Sequence, residues 1–537
     1  MRTRTLTEPS EDPGEPAGPP PAAPPAGTTP RRGLTRRRLL KAGLIGVPAV
    51  AAISAGGAAW LWATADVDTA GRVRFVNRLA IPPLATGRRD GSGRRVFELR
   101  AGAGNRRLRP GRPTPTWGFD EGHLGPTLRA ARGETVVVNV RNELAEATTV
   151  HWHGMHLPAV MDGGPHQPIR PGATWSPTWR LDQPAATLWY HPHPHGRTGQ
   201  HVYRGMAGLF IVDDPAAGSP DLPGRYGVDD VPVIVQDKNF GDDNRFDEST
   251  PLIGGVGILG DTLLVNGTVA PYHDVTAERT RLRLLNASNA RTYGFGLSDG
   301  RPFALIGTDG GLLPAPHLTD RVRLSPGERA EIVVTMRPDE RVVLRSYPPD
   351  LGADFWTSRV TGGDDTMDVL ELRAAGSLTP SPALPGTLAE APDLGSAGGR
   401  VDRGFELSGF EINGRAMDMS RIDFGVGRDT TEIWEVTNFD VLPHNFHVHG
   451  TQFQVLSVNG AAPPPELGGW KDTIYTPRET PVRIAVRFGG HADPDTPYMF
   501  HCHLLFHEDL GMMGQFVVTE PGVRPGRPVM PHDAGHG

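Results

Sequence analysis

One cysteine, Cys502, stands in a chain of 537 residues, so no internal disulfide can form. No basic stripe runs along the sequence: the formal net charge is −7, and most of the clustered basic residues lie near the N-terminus. Nothing therefore indicates a nucleic-acid partner. Methionine forms no rich run among its 12 positions, and lysine is rare beside arginine. Histidine, in contrast, is clustered: half of the 20 histidines fall into a few short motifs.

The cysteine itself has a histidine on each side, His501 and His503. In an extended strand successive side chains point to opposite faces, so Cys502 would face one way and both histidines the other. Two metal sites would then be joined by a few covalent bonds, an arrangement suited to electron transfer. The simpler interpretation of a lone cysteine is a small buried hydrophobic residue.

Four His-x-His pairs argue against that simpler interpretation. They are His151/His153, His191/His193, His447/His449 and His501/His503, and two further histidines, His444 and His507, flank the later pairs. One such pair is weak support, because the spacing also occurs in zinc hydrolases and by chance. Four pairs in two clusters with a cysteine indicate metal binding rather than satisfied core histidines.

The ligand set favours copper over zinc. A trigonal His-His-Cys site with a long axial methionine is the blue-copper arrangement, and Cys502, His507 and His444 supply its three strong ligands. Met512, ten residues past the cysteine, is the axial candidate, and spacing alone does not exclude Met513. Zinc usually takes four ligands in one tetrahedral cage. Eight histidines remain here, enough to hold three more copper ions.

Four segments resemble the four copper motifs of the multicopper oxidases: His151–Gly154, Trp189–Gly196, His444–Thr451 and His501–His507. The resemblance is strongest to bacterial laccases and periplasmic copper-efflux oxidases, and it extends from about residue 75 to about 520. The resemblance implies four copper ions. It assigns His444, Cys502, His507 and Met512 to the type 1 copper and His151 and His447 to the type 2 copper. It assigns the type 3 pair to His153, His191, His193, His449, His501 and His503. His156 and His195 match no ligand position, and we interpret them as outer or surface residues.

The resemblance also implies a reaction. A reducing substrate would give single electrons to the type 1 copper, and these would pass from Cys502 to His501 and His503. At the three-copper cluster O2 would take four electrons and four protons and leave as water. Asp162 and Glu508 stand where the family has acids that serve proton transfer, although either position also suits an ordinary turn or surface carboxylate.

The substrate is less defined by the sequence. The expected reductants are phenols, aromatic amines, bilirubin-like pyrroles or Cu(I). Asp440 stands where copper-efflux oxidases have a carboxylate for substrate copper, but Leu442 replaces a family methionine. Because thioethers suit Cu(I) and no methionine-rich run exists, a dedicated cuprous oxidase is the alternative rather than the main prediction.

Two rival classes share parts of this pattern. A non-enzymatic envelope protein of the same fold, like cell-division relatives that have lost their copper ligands, is disfavoured because every ligand position is filled here. A copper nitrite reductase has two cupredoxin domains and no type 3 pair, so the eight cluster histidines and a third repeat unit disfavour it.

Short alternating strands with Gly/Pro turns predict an all-β chain. A strand-like run ending in asparagine recurs at 138–142, 282–286 and 434–438, a period near 150 residues. We expect three β-sandwich domains, at 72–214, 228–375 and 402–521, and the resemblance implies that they are cupredoxin-like. Ligands fall only in the first and third, so the second domain is expected to be structural. Residues 522–537 are expected to form a flexible tail.

The N-terminus predicts export. Residues 1–34 are rich in Pro, Ala and Gly and should be disordered. The run from Thr35 to Lys41 resembles a twin-arginine signal, an apolar stretch follows, and Ala63-Thr64-Ala65 offers a cleavage site that would end the leader at residue 65. The expected location is the periplasm, the cell envelope or the exterior. An uncleaved membrane anchor is the alternative, since about 20 apolar residues can span a bilayer.

Overall fold

The computed structural model describes residue 62 and residues 65–215, 221–250, 255–528 and 530. The predicted leader therefore lies outside the described residues, apart from positions 62 and 65. Within the described part, the α-helices are three short ones, α1 (Thr198–Tyr203), α2 (Phe355–Val360) and α3 (Leu505–Asp509), and single 3-10 turns span Ala159–Met161 and Pro465–Leu467. None of the described helices has the length and apolar character needed to cross a membrane.

The first part of the chain forms two facing sheets, and the first of its strands belongs to another sheet. Its strands are β1 (Asn77–Arg78), β2 (Leu84–Ala85), β3 (Arg88–Arg89), β4 (Arg95–Arg106), β5 (Thr114–Phe119), β6 (Thr127–Ala131), β7 (Thr135–Asn142), β8 (His151–His153), β9 (Thr174–Trp175), β10 (Thr178–Arg180), β11 (Ala186–His191) and β12 (Gly208–Asp213). One sheet has the order β10-β7-β4-β3, with β5 beside β4 and β9 beside β7, and the other has the order β2-β6-β12-β11-β8. Residues such as Leu99, Val138 and Leu188 fill one core between them.

The middle part of the chain forms a second sandwich. Its strands are β13 (Asp230–Lys238), β14 (Thr262–Val265), β15 (Thr268–Val269), β16 (Pro271–Ala277), β17 (Arg279–Asn286), β18 (Tyr293–Leu297), β19 (Phe303–Thr308), β20 (Gly311–Thr319), β21 (Val322–Leu324), β22 (Arg329–Thr335), β23 (Arg341–Tyr347) and β24 (Met367–Thr379). The sheets have the orders β15-β14-β13-β17-β22-β19-β20 and β1-β16-β24-β23-β18-β21. Strand β1 joins this sandwich by parallel pairing with β16, although its residues fall inside the first predicted domain.

The last part of the chain forms the third sandwich. Its strands are β25 (Arg403–Ser408), β26 (Glu411–Ile412), β27 (Phe424–Gly427), β28 (Thr430–Asn438), β29 (His444–Val448), β30 (Phe453–Val458), β31 (Trp470–Lys471), β32 (Thr473–Thr476), β33 (Val482–Phe488), β34 (Asp493–His501) and β35 (Met513–Thr519). The sheets have the orders β26-β25-β28-β33-β30-β31 and β27-β35-β34-β29-β32. Their core is rich in aromatic residues, with Trp434 and Phe516 fully buried.

The asparagine at the end of each predicted repeat makes the same kind of hydrogen bonds in all three sandwiches. Asn142, Asn286 and Asn438 end β7, β17 and β28 and are fully buried. Each side-chain amide donates to two backbone carbonyls: those of Glu146 and Ile169, of Arg291 and Leu324, and of Leu442 and Thr476. A buried carbonyl needs a donor, so one amide that satisfies two carbonyls fixes the chain after the strand. The all-β prediction with three sandwiches is confirmed, and the exact domain boundaries stay a prediction.

Two strand registers bring the histidine pairs together. Antiparallel pairing sets His191 opposite His151 between β11 and β8. The same pairing sets His447 opposite His501 between β29 and β34. Only the His151/His153 pair lies wholly within a strand, because β11, β29 and β34 end before the second histidine of their pairs. The alternation expected of an extended strand around Cys502 is therefore not formed, because β34 ends at His501 and leaves Cys502 and His503 outside it.

Candidate metal centre

One group of donor atoms surrounds Cys502, which lies between β34 and α3 and is fully buried. Its Sγ is 3.6 Å from His444 Nδ1 and 3.6 Å from His507 Nδ1, and these two nitrogens are 3.0 Å apart. His444 begins β29, whereas His507 lies in α3. Strand, turn and helix thus bring one sulfur and two imidazole nitrogens within reach of a single ion.

The outer nitrogens of these two imidazoles have partners that orient the rings. His507 Nε2 donates to the Gly255 carbonyl at 2.9 Å, and His444 Nε2 faces Asp440 Oδ2 at 3.5 Å. With the proton on Nε2, each ring presents the lone pair of Nδ1 toward the sulfur. Burial raises the pKa of the Cys502 thiol to about 12. A metal ion bound there would displace the thiol proton, because a coordinating thiol is deprotonated outright.

The two methionines after Cys502 have different surroundings. Met512 is fully buried in the same hydrophobic core as Cys502, and its carbonyl accepts a hydrogen bond from the Cys502 amide at 3.1 Å. Met513 begins β35 and lines a cleft with Arg415 and Phe424. The environment of Met512 therefore fits the axial position better than that of Met513.

The other eight predicted ligands form a second buried group. They are His151, His153, His191, His193, His447, His449, His501 and His503, each no more than 1% exposed. The rings of the first sandwich stack on those of the third: His151 on His449 with centroids 3.7 Å apart, and His153 on His447 at 3.8 Å. His501 Nε2 lies 3.2 Å from His193 Nε2 and 3.1 Å from His449 Nε2.

Burial favours the neutral form of seven of these imidazoles. Loss of hydration, reinforced by neighbouring imidazoles, holds the pKa well below its usual range in a set of six: His153, His191, His193, His447, His449 and His503. Burial also lowers the pKa of His501 to about 3. A neutral imidazole with one protonated nitrogen offers the other nitrogen as a metal ligand.

Several of the inward nitrogens lack any hydrogen-bond partner within the described part of the chain. They are Nε2 of His151, His191 and His447, Nδ1 of His153 and both nitrogens of His503. Buried polar atoms without partners are rare in native proteins and indicate a place for a bound ion or water. Imidazole is a ligand that suits copper, so the donor set fits the metal indicated by the sequence.

The opposite nitrogens are held by carbonyl and carboxylate oxygens. His151 Nδ1 donates to the Asp162 carbonyl at 3.1 Å, and His449 Nδ1 donates to Asp162 Oδ2 at 2.7 Å. The remaining outer donors are His191 Nδ1 to Pro192 O, His447 Nδ1 to Asp472 O, His501 Nδ1 to Cys502 O and His153 Nε2 to Asp472 Oδ1. These bonds fix the ring orientations and direct the free nitrogens inward.

The structure places the two predicted proton-transfer acids against the imidazole group. Asp162 is 1% exposed and touches His151 and His449, as described above. Glu508 is fully buried, with Oε1 3.4 Å from His193 Nδ1 and Oε2 3.3 Å from His501 Nδ1. Burial, with the neighbouring Asp509 charge, raises the pKa of Glu508 well above its usual range.

The three other residues singled out from the sequence lie outside the imidazole group. His195 is exposed, and half-buried His156 faces Asp182 with Nδ1 3.7 Å from Oδ1. Half-buried Asp440 stands beside His444. Burial opposes ionisation of Asp440, but the contact with His444 and the Gly409 amide outweigh it and hold the pKa of this carboxyl below its usual value.

Two residues of the centre were not predicted. Asp472 holds both His153 and His447, as given above. Asn445 Oδ1 accepts the His503 amide at 2.6 Å and lies 3.7 Å from Cys502 Sγ, so its side chain bridges the two donor groups. Asn445 falls inside the histidine motif at 444–447, which was the available signal. Asp472 belongs to no motif.

Comparisons with known proteins agree with this geometry. Residues 101–217 and 389–522 each match a family model described as multicopper oxidase. The chain is 35% identical over 451 residues to the multicopper oxidase mco of Staphylococcus haemolyticus, covering 82% of this chain and 93% of that protein. It is 38% identical over 454 residues to the cell division protein FtsP of Sodalis glossinidius, covering 83% and 93%.

A solved structure matches as well. It is the laccase-like multicopper oxidase CueO from an Ochrobactrum species, with a TM-score of 0.75, 35% identity and coverage of 82% of this chain and 100% of that one. The chain belongs to the multicopper oxidase family. This multicopper oxidase is a laccase-like oxidoreductase with cupredoxin-like sandwiches, and it couples oxidation of a reducing substrate to reduction of O2 to water. The predictions of fold class, family and reaction are confirmed.

Copper is the metal of this family. Identity is similar to relatives named as oxidases and to relatives named for cell division, so overall identity does not separate the two. In this chain all ten histidines and the cysteine of the predicted ligand set are buried, as the oxidase prediction requires. The similarity to relatives named FtsP is consistent with a location of this protein in the cell envelope.

Proposed function

We propose that this multicopper oxidase holds four copper ions. His444, Cys502 and His507 would hold the type 1 copper with Met512 as axial ligand, and His151 and His447 would hold the type 2 copper. The type 3 pair would take His193, His449 and His501 on one ion and His153, His191 and His503 on the other. The observation that carries the proposal is the convergence of buried, partner-free imidazole nitrogens beside a buried Cys-His-His group.

Copper in these positions would cycle between its two oxidation states and so carry electrons from the reductant to O2. The chain supplies the connection, because Cys502 in one donor group is bonded directly to His501 and His503 in the other. It also excludes water, since the imidazoles are at most 1% exposed. The Glu508 carboxyl lies within 3.4 Å of two of the rings, and its raised pKa favours the form that carries a proton to deliver at the carboxyl oxygen.

Copper loading tests the proposal directly. Purified protein reconstituted with copper should bind four ions per chain and show an intense blue band with a near-ultraviolet shoulder. Cys502→Ser should lose the blue band and about one copper ion, whereas His195→Ala, a change at an exposed histidine outside the centre, should match the wild type. A colourless wild-type protein after loading would contradict the proposal.

For the reductant we propose phenols and aromatic amines ahead of Cu(I). Apolar side chains are exposed beside the type 1 group: Phe439 and Val441 flank Asp440, and Leu510 follows α3 at 47% exposure. Exposed apolar patches mark binding sites for apolar partners. The solved Ochrobactrum relative is described as having oxidase activity towards lignin model compounds and lignosulfonate. Leu442, where the resemblance implies a thioether, packs against Gly255 instead of offering a copper ligand.

Oxygen uptake separates these reductants. Rates with a methoxyphenol, an aromatic amine, bilirubin and Cu(I) should give the highest kcat/KM for the organic reductants, and Phe439→Ala should raise the KM for the phenol more than for Cu(I). Val523→Ala, a change at an exposed residue in the C-terminal segment, serves as the matched control. A higher kcat/KM for Cu(I) with no effect of Phe439→Ala would support the dedicated cuprous oxidase instead.

We also propose that the twin-arginine machinery exports the chain to the periplasm or cell surface and that the leader ends at residue 65. Replacing Arg36 and Arg37 by lysine should leave the enzyme inside the cell, as measured by activity in cell fractions. N-terminal sequencing of the exported enzyme should begin at Asp66. A longer, membrane-bound product would show a retained anchor.

A further inference from the structure

A buried ion pair reaches from the middle sandwich to the imidazole group. Arg329 begins β22 and is fully buried. Its Nη1 donates to Asp472 Oδ1 at 2.8 Å and its Nη2 donates to Asp472 Oδ2 at 2.6 Å. Two parallel bonds from a planar guanidinium fix both the position and the plane of a carboxylate, which a lysine ammonium cannot do.

Asp472 in turn holds two predicted ligands from different sandwiches. Its Oδ1 accepts from His153 Nε2 at 3.0 Å, and its backbone carbonyl accepts from His447 Nδ1 at 2.8 Å. These contacts place the imidazole protons on the outer nitrogens and leave His153 Nδ1 and His447 Nε2 without partners in the described structure. Thr473 Oγ1 contacts the same two nitrogens, His153 Nε2 at 3.2 Å and His447 Nδ1 at 3.1 Å, and itself donates to Asp472 Oδ1 at 2.9 Å. The position of Asp472, with Thr473 attached to it, therefore decides which nitrogen each ring directs toward the metal.

The surroundings hold Arg329 in one arrangement. Its other three N–H groups donate to the carbonyls of Thr187, Gly327 and Asp309, so all five donors are used. Gly154 lies close to the Arg329–Asp472 pair. A Cβ added at this glycine would lie 2.5 Å from Asp472 Oδ2 and 2.8 Å from Arg329 Nη2. All three sandwiches thus contribute atoms to the position of one carboxylate.

We propose that Arg329 is a positioning residue for the copper centre: by fixing Asp472, it sets the ring orientation and ligating nitrogen of His153 and His447. The middle sandwich then has a direct part in metal binding, besides joining the other two. This inference rests on the proposed copper assignment, in which His447 serves the type 2 ion and His153 serves a type 3 ion.

Chelator competition on the copper-loaded enzyme tests the inference. Arg329→Lys and Arg329→Met should release the type 2 copper at a chelator concentration about tenfold or more below that of the wild type. The electron paramagnetic resonance signal of that ion should change, while the blue absorption of the Cys502 group stays. Arg291→Met is the matched control, because Arg291 is equally buried and paired, with Asp237 and Asp365, in the same sandwich. It should keep the wild-type chelator midpoint.

Removing Arg329 alone leaves a buried carboxylate without its partner, which can prevent folding. The double variant Arg329→Met/Asp472→Asn removes both charges and keeps an amide oxygen for His153. It should fold, retain the blue band and still lose type 2 copper early. A wild-type midpoint and spectrum in Arg329→Met would overturn the inference, as would parallel loss of the blue band and type 2 copper in every Arg329 variant. A wild-type enzyme without either signal would instead contradict the proposed copper assignment.

Discussion

A substitution at Met512 should change the reduction potential of the type 1 copper. The axial ligand is one of the levers on the potential of a blue-copper site. Because leucine has no atom to coordinate, Met512→Leu should keep the blue colour and raise the potential, as measured by redox titration of the blue absorption. Met513→Leu, a change in the cleft-lining neighbour, should leave the potential unchanged. The reverse pattern would make Met513 the ligand.

Glu508 is the residue whose proton the reaction should need. Glutamine keeps the shape of the side chain but has no acidic proton, so Glu508→Gln should lower kcat about 100-fold or more, within the usual contribution of general acid catalysis. The KM for the phenol should not change, because Glu508 contacts His193 and His501 rather than the exposed rim. Steady-state oxygen uptake measures both constants. Glu520→Gln, at an exposed position, is the control, and equal kcat values for the two variants would exclude the role.

At the scale of secondary-structure elements, β13 ends on a buried lysine. Lys238 is fully buried with Nζ 4.2 Å from the centre of the Tyr203 ring, and no described residue accepts a hydrogen bond from it. Burial lowers the pKa of Lys238 to about 7, although Asp237 and Glu248 oppose the shift. The unfolded chain therefore binds more protons than the folded chain between pH 7 and the ordinary lysine pKa near 10.4.

Stability should consequently rise with pH across that window, by up to about 1.4 kcal/mol per pH unit from this group. Lys238→Met should be more stable than the wild type at pH 7 and should lack this part of the pH dependence. Thermal unfolding of both proteins at pH 7 and pH 9.5 measures the difference. If the stability of the two proteins changed equally between pH 7 and pH 9.5, the Lys238 amine would not be held in an unfavourable environment.

The elements also show what a sequence can predict here. Histidine motifs and strand-ending asparagines are local, so the ligand residues and the repeats could be identified from short segments. The pairing of Arg329 with Asp472 joins residues 143 positions apart and depends on how sandwiches meet, which no short segment encodes. The strand end at His501 was missed for a related reason, because the alternating sequence pattern continues past the last residue of β34.

At the scale of the whole molecule, copper should act as a clamp between the first and third sandwiches. Metal that binds only the folded chain stabilises it by mass action, by about 4 kcal/mol at a thousandfold excess over Kd. We expect a rise in Tm on the order of 10 °C on copper loading and its loss on dialysis against a chelator. Calorimetry of both forms measures the shift. His151→Ala/His447→Ala should show a smaller rise, and no difference between loaded and copper-free wild type would contradict the clamp.

The sharing of one carboxylate by three sandwiches restricts how such a chain can be recombined. In a chimera that takes residues 389–522 from a relative, the residue at position 472 would come from that relative. Arg329 and Gly154, which contact it, would come from this chain. Only parents that agree at positions 154, 329 and 472 would yield a working hybrid. Exchange of segments between members of this family is therefore governed by a three-way compatibility rule, not by the ligand motifs alone.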